Sequence, residues 1–341
     1  MKYYLAPLEG ITTQVYRNAY HKYFRPMDKY FTPFLVPHTK KGFSTKEIRE
    51  IHPDNNKELY VVPQILSNQA EDTVNTIHKL EQYGYKEVNL NLGCPSKTVV
   101  SKNRGSGFLA MPEELDHFLE EIFEKTEVKI SVKTRIGRDE PEEFYKLMEL
   151  YNKYPLEELI VHPRTQKDFY RNTPNLSMFG YAVEQSRFPL CYNGDVKKRE
   201  DKENIVETFP GISAIMLGRG VIANPFLTAS FEKPEEQNEI DKDTLRNFHD
   251  ALYEGYGQVS DGILPVLFKM KEIWTYMKEL FPEDKKRIKK AEESGECERL
   301  RAGSRRNFLL YFKREITYNR GNLEIENERS LQYGKSETAR I

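Results

Sequence analysis

The chain has 341 residues, of which 38% are hydrophobic and 31% charged, and its formal net charge is −1. This length suffices for one large α/β domain of about 200–250 residues with a smaller appendage. No apolar run approaches the roughly 20 residues that cross a bilayer, and the opening MKYYLAPLEG lacks the apolar core of a signal peptide. We therefore expect a cytoplasmic protein without a membrane segment, in which any nucleic-acid binding depends on local basic patches.

The three cysteines, Cys94, Cys191 and Cys297, are far apart in the sequence. They form no CxxC pair and no Cys/His cluster with metal-ligand spacing, so we expect neither a metal site nor a disulfide framework. Free thiols suit a reducing compartment, in agreement with a cytoplasmic location.

Short β-like segments alternate with amphipathic helical segments through roughly the first 220 residues. Strands are predicted at residues 3–6, 30–34, 60–65, 87–92, 128–134, 158–162, 189–193 and 213–217. Helices are predicted at 71–83, 112–125, 142–154 and 175–185, the second of which has Pro112 at its first position. Eight strands alternating with helices favour an α/β fold, a (β/α)8 TIM barrel. The alternative is a doubly wound open sheet, which usually has fewer strands, and no GxGxxG follows the first strand.

The composition changes after the predicted barrel domain at 1–232. Residues 233–243 are polar and acidic and are interpreted as a linker. Helical patterns at 244–259, 264–280, 283–293 and 298–311 predict a small C-terminal helical domain at 244–316. A polar tail, 317–341, is expected to be loosely ordered.

Polar residues end several of the predicted strands, on the side where a barrel has its active site. In strand 128–134 the alternation of side chains directs Lys133 toward the barrel mouth, where an ammonium group needs an anion or an electron-rich partner. A solvated lysine at a strand end is the structural alternative. Four further strands end in Gln64, Asn91, His162 and Asn193. Each of these residues alone is more often structural, but together they predict a polar ligand site.

Two Gly-rich loops follow the seventh and eighth predicted strands, where barrels commonly bind a phosphate. They are residues 192–196 (YNGDV) and 217–225 (LGRGVIANP). Gly218 and Gly220 allow the backbone to approach an anion, Arg219 supplies charge, and residues 221–224 are expected to form a short helix facing the phosphate. A simple Gly-rich turn is the alternative, but two such loops favour a phosphorylated cofactor.

Cys94 lies just beyond the fourth predicted strand, in the segment NLGCPS at 91–96, and is flanked by Gly93 and Pro95. A basic, Gly-rich segment, KTVVSKNRGSG at 97–107, follows. Most buried cysteines are inert packing residues. A thiol at a barrel mouth with a pKa near 8.5 is mostly protonated at neutral pH, which makes Cys94 a candidate general acid.

Seven motifs resemble those of the tRNA-dihydrouridine synthase family. They are APLEGIT (6–12), NLGCPS (91–96), GSG (105–107), VKTRIG (132–137), VHPRT (161–165), YNGDV (192–196) and MLGRG (216–220). They occur in the order found in that family. The helical region beyond them resembles the RNA-binding C-terminal domain of the family, with weaker motifs.

This resemblance implies FMN as cofactor, NADPH as reductant and reduction of uridine to dihydrouridine. The implied cofactor-binding residues are Pro7, Leu8, Glu9, Gln64, Lys133, His162, Asn193, Gly194, Asp195, Gly218 and Arg219. Among them, Gln64 and Lys133 are expected at the flavin ring, and the residues from Asn193 onward at the ribityl phosphate. The implied chemistry is hydride transfer from flavin N5 to uracil C6 with protonation of C5 by Cys94.

A folded RNA substrate, tRNA or ribosomal RNA, is expected to meet cations around the barrel mouth. The candidate contacts are Asn91, Lys97, Lys102, Arg104, Arg135, Arg164, Lys167 and Arg171, followed by Arg299, Arg301, Arg305 and Arg306 in the C-terminal region. Residues 284–306 contain nine Lys/Arg against five Asp/Glu, although a mixed-charge helix is often only a solvated face. Pro163 stands where many members of the family have glycine, which leaves the placement of Arg164 open.

Two other functions share part of this pattern. A flavin-dependent barrel reductase of a small enone or pyrimidine has the phosphate loops and the inward lysine, but it gives no reason for a helical domain with a basic segment. A non-enzymatic RNA-binding protein on a barrel predicts no flavin and no effect of changing Cys94. We expect a monomer.

Overall fold

The structure, a computed structural model, describes residues 1–38, 42–232 and 241–280. The predicted helices at 283–293 and 298–311, the four C-terminal arginines named above and the polar tail lie outside the described residues. So does most of the predicted linker.

A parallel sheet forms the centre of the described chain. Its strands are β1 (Lys2–Leu5), β2 (Lys29–Phe31), β3 (Val61–Val62), β4 (Gln64–Ile65), β5 (Glu87–Leu92), β6 (Lys129–Arg135), β7 (Glu158–His162), β8 (Leu190–Tyr192) and β9 (Ala214–Leu217). Their spatial order is β3-β2-β1-β9-β8-β7-β6-β5-β4. The two ends of this order, β3 and β4, are consecutive in the chain, so the sheet closes on itself as a barrel.

Pro63 separates β3 from β4. Proline has no N–H for the ladder, but the Pro63 carbonyl still accepts a hydrogen bond from the Asn89 N–H at 2.9 Å. β3 and β4 therefore act as one interrupted strand, and the barrel has eight strand positions. The predicted (β/α)8 TIM barrel is confirmed.

Helices follow the strands around the barrel. They are α1 (Gln14–Tyr23), α2 (Thr45–Ile51), α3 (Ala70–Gln82), α4 (Lys97–Val100), α5 (Pro112–Lys125), α6 (Glu143–Tyr151), α7 (Leu176–Gln185), α8 (Arg199–Thr208), α9 (Arg219–Ala223) and α10 (Leu227–Ser230). Local signals set several boundaries. Pro112 begins α5, the Asn175 side chain accepts from the Met178 N–H at the start of α7, and Ser44 and Glu47 form a capping box at α2.

The N-terminal ends of the strands enclose a buried ionic cluster. Lys29 Nζ lies 2.8 Å from Glu87 Oε1 and 3.9 Å from Glu158 Oε2, and Tyr4 donates to Glu158 Oε1 at 2.9 Å. These charges lie at the opposite end of the strands from the polar strand ends predicted to bind a ligand. They occupy the closed end of the barrel and leave the C-terminal ends for the site.

Two further helices, α11 (Lys242–Val259) and α12 (Ile263–Met277), belong to the same compact unit as the barrel, Met1–Pro282. α11 packs on α1 at Gly255, where a Cβ would lie 2.6 Å from Val15 Cγ1, and α12 packs on α9. The predicted domain boundaries stay predictions. Within the described ranges, no helix is long and apolar enough to cross a membrane.

Candidate active site

A cavity of about 190 Å³ opens at the C-terminal ends of the barrel strands. Most of the predicted site residues line it: Pro7, Leu8, Glu9, Asn91, Cys94, Lys133, Arg135, His162, Asn193, Gly194, Asp195, Gly218 and Arg219. These residues come from loops and strand ends spread along more than 200 positions. The barrel gathers them because its parallel strands all end at one rim.

Both backbone polar groups of Cys94, its N–H and its carbonyl, are hydrogen-bonded to other residues. Asn91 Oδ1 accepts from the backbone N–H groups of Gly93 (3.2 Å) and Cys94 (3.0 Å). The Cys94 carbonyl accepts from the Ser106 N–H (3.1 Å) and hydroxyl (2.8 Å). Gly105 has φ +56°, and a Cβ there would lie 2.8 Å from the Cys94 carbonyl oxygen. The GSG motif therefore supports the cysteine segment.

Burial raises the pKa of the Cys94 thiol above its usual range. A backbone hydrogen bond from Ser96 and the charges of Lys133 and Arg135 oppose this effect only in part. The thiol therefore keeps its proton at neutral pH. A protonated thiol at the cavity wall can donate that proton to a bound molecule.

Lys133 is a cation in the cavity wall without a carboxylate partner among the residues described. Burial lowers its pKa to about 8, and the positive charge of Arg135 acts in the same direction. Arg135 is 2% exposed and is fixed by Nε to the Gly93 carbonyl (2.9 Å) and by Nη1 to the Thr165 carbonyl (2.8 Å). Both cations belong to the cavity, and Arg135 also holds the cysteine segment.

His162 is a buried imidazole surrounded by cations. Burial holds its pKa well below the usual range, and the charges of Arg135, Lys133 and other arginines act in the same direction. Its Nε2 lies 3.2 Å from Nη1 of Arg164. Because a guanidinium only donates, Nε2 is the accepting nitrogen of a neutral ring and the proton is on Nδ1.

Arg164 is turned away from solvent. Its side chain is 1% exposed and forms two hydrogen bonds with Asp195, Nη1 to Oδ1 at 3.0 Å and Nη2 to Oδ2 at 2.8 Å. Arg219 approaches the same carboxylate at 3.4 Å. Although partial burial raises the pKa of Asp195, these arginines hold it below the usual range. The predicted RNA contact Arg164 thus lies in an internal ion pair.

Glycines allow close packing within and between the two predicted phosphate loops. A Cβ on Gly220 would lie 2.1 Å from the Val196 carbonyl oxygen, and one on Gly194 would lie 2.0 Å from the Tyr192 hydroxyl. A larger residue at position 220 would push the two loops apart, whereas one at position 194 would displace the Tyr192 side chain within its own loop. The expected short helix is α9, and it begins two residues earlier than predicted.

Tyr170 lines the cavity and was missed in the sequence analysis, as were Phe34 and Lys197. The Tyr170 ring is 47% exposed and contacts two guanidinium groups, with Arg219 at 4.6 Å and Arg135 at 5.2 Å from the ring centre. The aromatic pair Phe169 and Tyr170 between Lys167 and Arg171, in the segment KDFYRN, was the signal available in the sequence.

The remaining predicted residues lie around or beneath the cavity. Gln64 is fully buried, and its amide is hydrogen-bonded to Asn89 and Asn91. Arg104 is half-buried, with Nε 3.3 Å from Asn68 Oδ1. Exposed cations are Lys97, Lys102, Lys167 and Arg171, of which Lys167 lies 3.3 Å from Asp139.

Comparison with known proteins identifies the family. The model of the family described as Dihydrouridine synthase (Dus) matches residues 4–301. This chain is a member of the dihydrouridine synthase family. A probable tRNA-dihydrouridine synthase of Staphylococcus aureus (strain Mu50) is 29% identical over 271 residues, covering 74% of this chain and 77% of that protein. Probable tRNA-dihydrouridine synthase 2 of Bacillus subtilis (strain 168) is 26% identical over 272 residues, covering 74% and 78%.

Among solved structures, histamine dehydrogenase from Rhizobium sp. 4-9 has a similar fold, with a TM-score of 0.52 and 12% identity. The match covers 73% of this chain and 49% of that one, and it concerns the fold alone. Membership of the dihydrouridine synthase family makes this chain an oxidoreductase and excludes a purely RNA-binding role. In the part of this dihydrouridine synthase that the structure describes, no cluster of His, Cys, Asp or Glu has the arrangement of a metal site. Location and oligomeric state stay predictions.

Proposed function

We propose that this enzyme reduces the C5=C6 bond of specific uridines in tRNA to give 5,6-dihydrouridine, with FMN as cofactor, NADPH as reductant and Cys94 as proton donor. Family membership and the names of the two bacterial relatives support the reaction and the substrate. The observation that carries the proposal is that the Cys94 thiol shares one cavity with Lys133, His162 and both Gly-rich loops.

The residues of the cavity suit a phosphorylated flavin. Arg219 provides positive charge beside the two loops that Gly220 allows to pack closely, as a phosphate group requires. Lys133, which has no anionic partner among the described side chains, suits the negative charge that a reduced flavin carries. Pro7, Leu8 and Glu9 form the wall on the β1 side, and Asn193 lies in the loop after β8, separated from β1 by β9 alone. When bound, FMN would supply the hydride for C6 of uracil.

Cys94 supplies the proton for C5. Its raised pKa keeps the thiol protonated at neutral pH, and the hydrogen bonds that the Cys94 backbone donates to Asn91 and accepts from Ser106 fix the backbone that carries it. Positioned general acids typically accelerate reactions by about 10²–10⁴-fold. Arg135 and Asn91 also line the cavity and are candidates for contact with the reacting base.

The RNA backbone would meet the exposed cations at the cavity mouth. Lys97, Lys102 and Arg171 are exposed, and the exposed ion pair of Lys167 is weak enough for a phosphate to replace its partner. We leave Arg164 out of this surface because its buried guanidinium is paired with Asp195. Arg299, Arg301, Arg305 and Arg306 remain predicted RNA contacts.

The test uses purified enzyme, NADPH and a tRNA transcript, with dihydrouridine measured by mass spectrometry and flavin by absorbance. We expect Cys94→Ala to retain FMN and to lose about 10²-fold or more in the rate of reduction. Cys191→Ala is the matched control because Cys191 is fully buried in the barrel core and does not line the cavity.

Full turnover by Cys94→Ala contradicts the role of the thiol. Purified enzyme without flavin contradicts the cofactor assignment. Reduction of free uridine or a small enone with the same kcat/KM as tRNA would show that the enzyme is a small-molecule reductase.

A further inference from the structure

A chain of buried side chains connects the Cys94 segment to the interior of the barrel. Asn91 Nδ2 donates to Gln64 Oε1 (2.7 Å), Gln64 Nε2 donates to Asn89 Oδ1 (2.8 Å), and Asn89 Nδ2 donates to Ser131 Oγ (3.0 Å). Gln64, Asn89 and Ser131 are fully buried, and they lie on β4, β5 and β6. We call these four side chains the amide relay.

Backbone groups at both ends determine the direction of every hydrogen bond in the amide relay. At one end, the N–H groups of Gly93 and Cys94 can only donate, so Asn91 must present its oxygen to them. At the other end, the Val88 carbonyl can only accept, and the Ser131 hydroxyl donates to it at 3.3 Å. Each amide between these ends therefore has one permitted orientation.

Packing alone does not require this arrangement. Apolar side chains of the same shape would fill the same volume, and replacing both partners of a buried hydrogen bond in this way is nearly neutral for stability. A fully satisfied buried network, by contrast, holds its members in one arrangement. The amide relay ends at the Cys94 N–H, on the residue whose thiol lines the cavity.

We propose that Asn89 and Ser131 are positioning residues for Cys94, acting through Gln64 and Asn91. This inference rests on the proposed role of Cys94 as proton donor. The amide relay fixes the N–H of Cys94, while Ser106 fixes its carbonyl, so the direction of the thiol depends on residues that do not line the cavity.

The test compares two substitutions of Asn89. In Asn89→Leu, Gln64 Nε2 loses its acceptor and the amide relay is broken. In Asn89→Asp, one carboxyl oxygen still accepts from Gln64, and the other interacts with the Ser131 hydroxyl in either protonation state, so the orientations of Gln64 and Asn91 are kept. Asn89 is chosen because it does not line the cavity, whereas Gln64 is itself a candidate flavin contact.

Two readouts are measured on purified enzyme: the alkylation rate of Cys94 by iodoacetamide, followed by peptide mass spectrometry, and kcat for uridine reduction in tRNA. We expect Asn89→Leu to speed alkylation about tenfold and to lower kcat about tenfold to a hundredfold, since a displacement near 1 Å is enough for such losses. For Asn89→Asp, the alkylation rate and kcat should both stay within about threefold of the unmodified enzyme's values, a smaller change than such a displacement causes.

Thr134→Val is the matched control, because Thr134 lies on β6 like Ser131, is fully buried, and bonds Tyr151 instead of the amide relay. Should Asn89→Leu fail to fold, Ser131→Ala removes a single oxygen from the amide relay and is measured against the same control.

Unchanged alkylation and kcat in folded Asn89→Leu or Ser131→Ala would overturn the inference. Equal losses of kcat in Asn89→Leu and Asn89→Asp would also overturn the inference, because the loss of activity would then not depend on the direction of the hydrogen bonds. Turnover by Cys94→Ala would instead contradict the proposed function, and the alkylation rates would still test the amide relay.

Discussion

Arg164 and Asp195 form a bidentate ion pair beside the cavity, with N···O distances of 3.0 and 2.8 Å. The first belongs to the VHPRT motif and the second to YNGDV, so the pair joins the loops that follow β7 and β8. Since Asp195 neutralises Arg164, the positive charge available in the cavity comes from Lys133, Arg135, Lys197 and Arg219.

Asp195→Asn should destabilise the protein by about 2 kcal/mol or more, because the buried Arg164 loses its anionic partner. Urea unfolding at pH 7 measures the loss. Glu121→Gln is the control, since Glu121 pairs with Lys125 on an exposed helix face and should cost no more than about 0.5 kcal/mol. Equal losses in the two variants would show that the Arg164 pair is not important for stability.

Gly220→Ala should separate the two phosphate loops. A Cβ at this position would lie 2.1 Å from the Val196 carbonyl oxygen, and backbone must move to accommodate it. We expect a loss of about 1–3 kcal/mol in unfolding free energy, together with weaker FMN retention. Gly211→Ala is the control because no atom lies within 4 Å of its Cβ position. Normal flavin content in Gly220→Ala would argue against a phosphate site between these loops.

Lys269→Met should loosen the loop after β1. Lys269 Nζ donates to the Gly10 carbonyl at 2.6 Å, next to Glu9 in the cavity wall. We expect a loss of about 1 kcal/mol in stability and a faster dissociation of FMN, measured by fluorescence. Lys271→Met, at an exposed position of the same helix, should change neither quantity. Identical dissociation rates would mean that α12 does not support the cofactor loop.

Lys133 should make the stability of the cofactor-free protein depend on pH. Its pKa is about 8 in the folded protein and about 10.4 in an unfolded chain, so between these values the unfolded chain holds more protons. The free energy of unfolding therefore rises with pH across this window. Below it, the destabilisation that the buried Lys133 causes is at its full value.

Lys133→Met should remove this rise of the unfolding free energy with pH. It should also stabilise the cofactor-free protein by about 1 kcal/mol at pH 7 and weaken FMN binding. Urea unfolding between pH 7 and pH 10 measures the effect. Lys129→Met is the comparison, because Lys129 is exposed at the start of the same strand and pairs with Glu157. Parallel stability curves for the unmodified protein and Lys133→Met would contradict the assignment.

Periodicity and strand-end chemistry were sufficient to predict the barrel and most of the cavity wall. The predicted segments 87–92, 158–162 and 112–125 coincide with β5, β7 and α5. Cys94, Lys133, His162 and Asn193 line one cavity as expected. Side chains alternate along a strand and parallel strands end at one rim, so local sequence is enough to place such residues on the same side.

Contacts between segments distant in sequence were decided only by the tertiary structure. Arg164 was expected to face RNA but turns inward to Asp195, Gln64 lies under the cavity in the amide relay, and Tyr170 joins the cavity wall between two arginines. No periodic pattern encodes these contacts, because they depend on the register of neighbouring strands and on the paths of loops, which only the closed barrel determines. The sequence determined which residues reach the rim, and the folded chain determined which of them face the ligand and which bind each other.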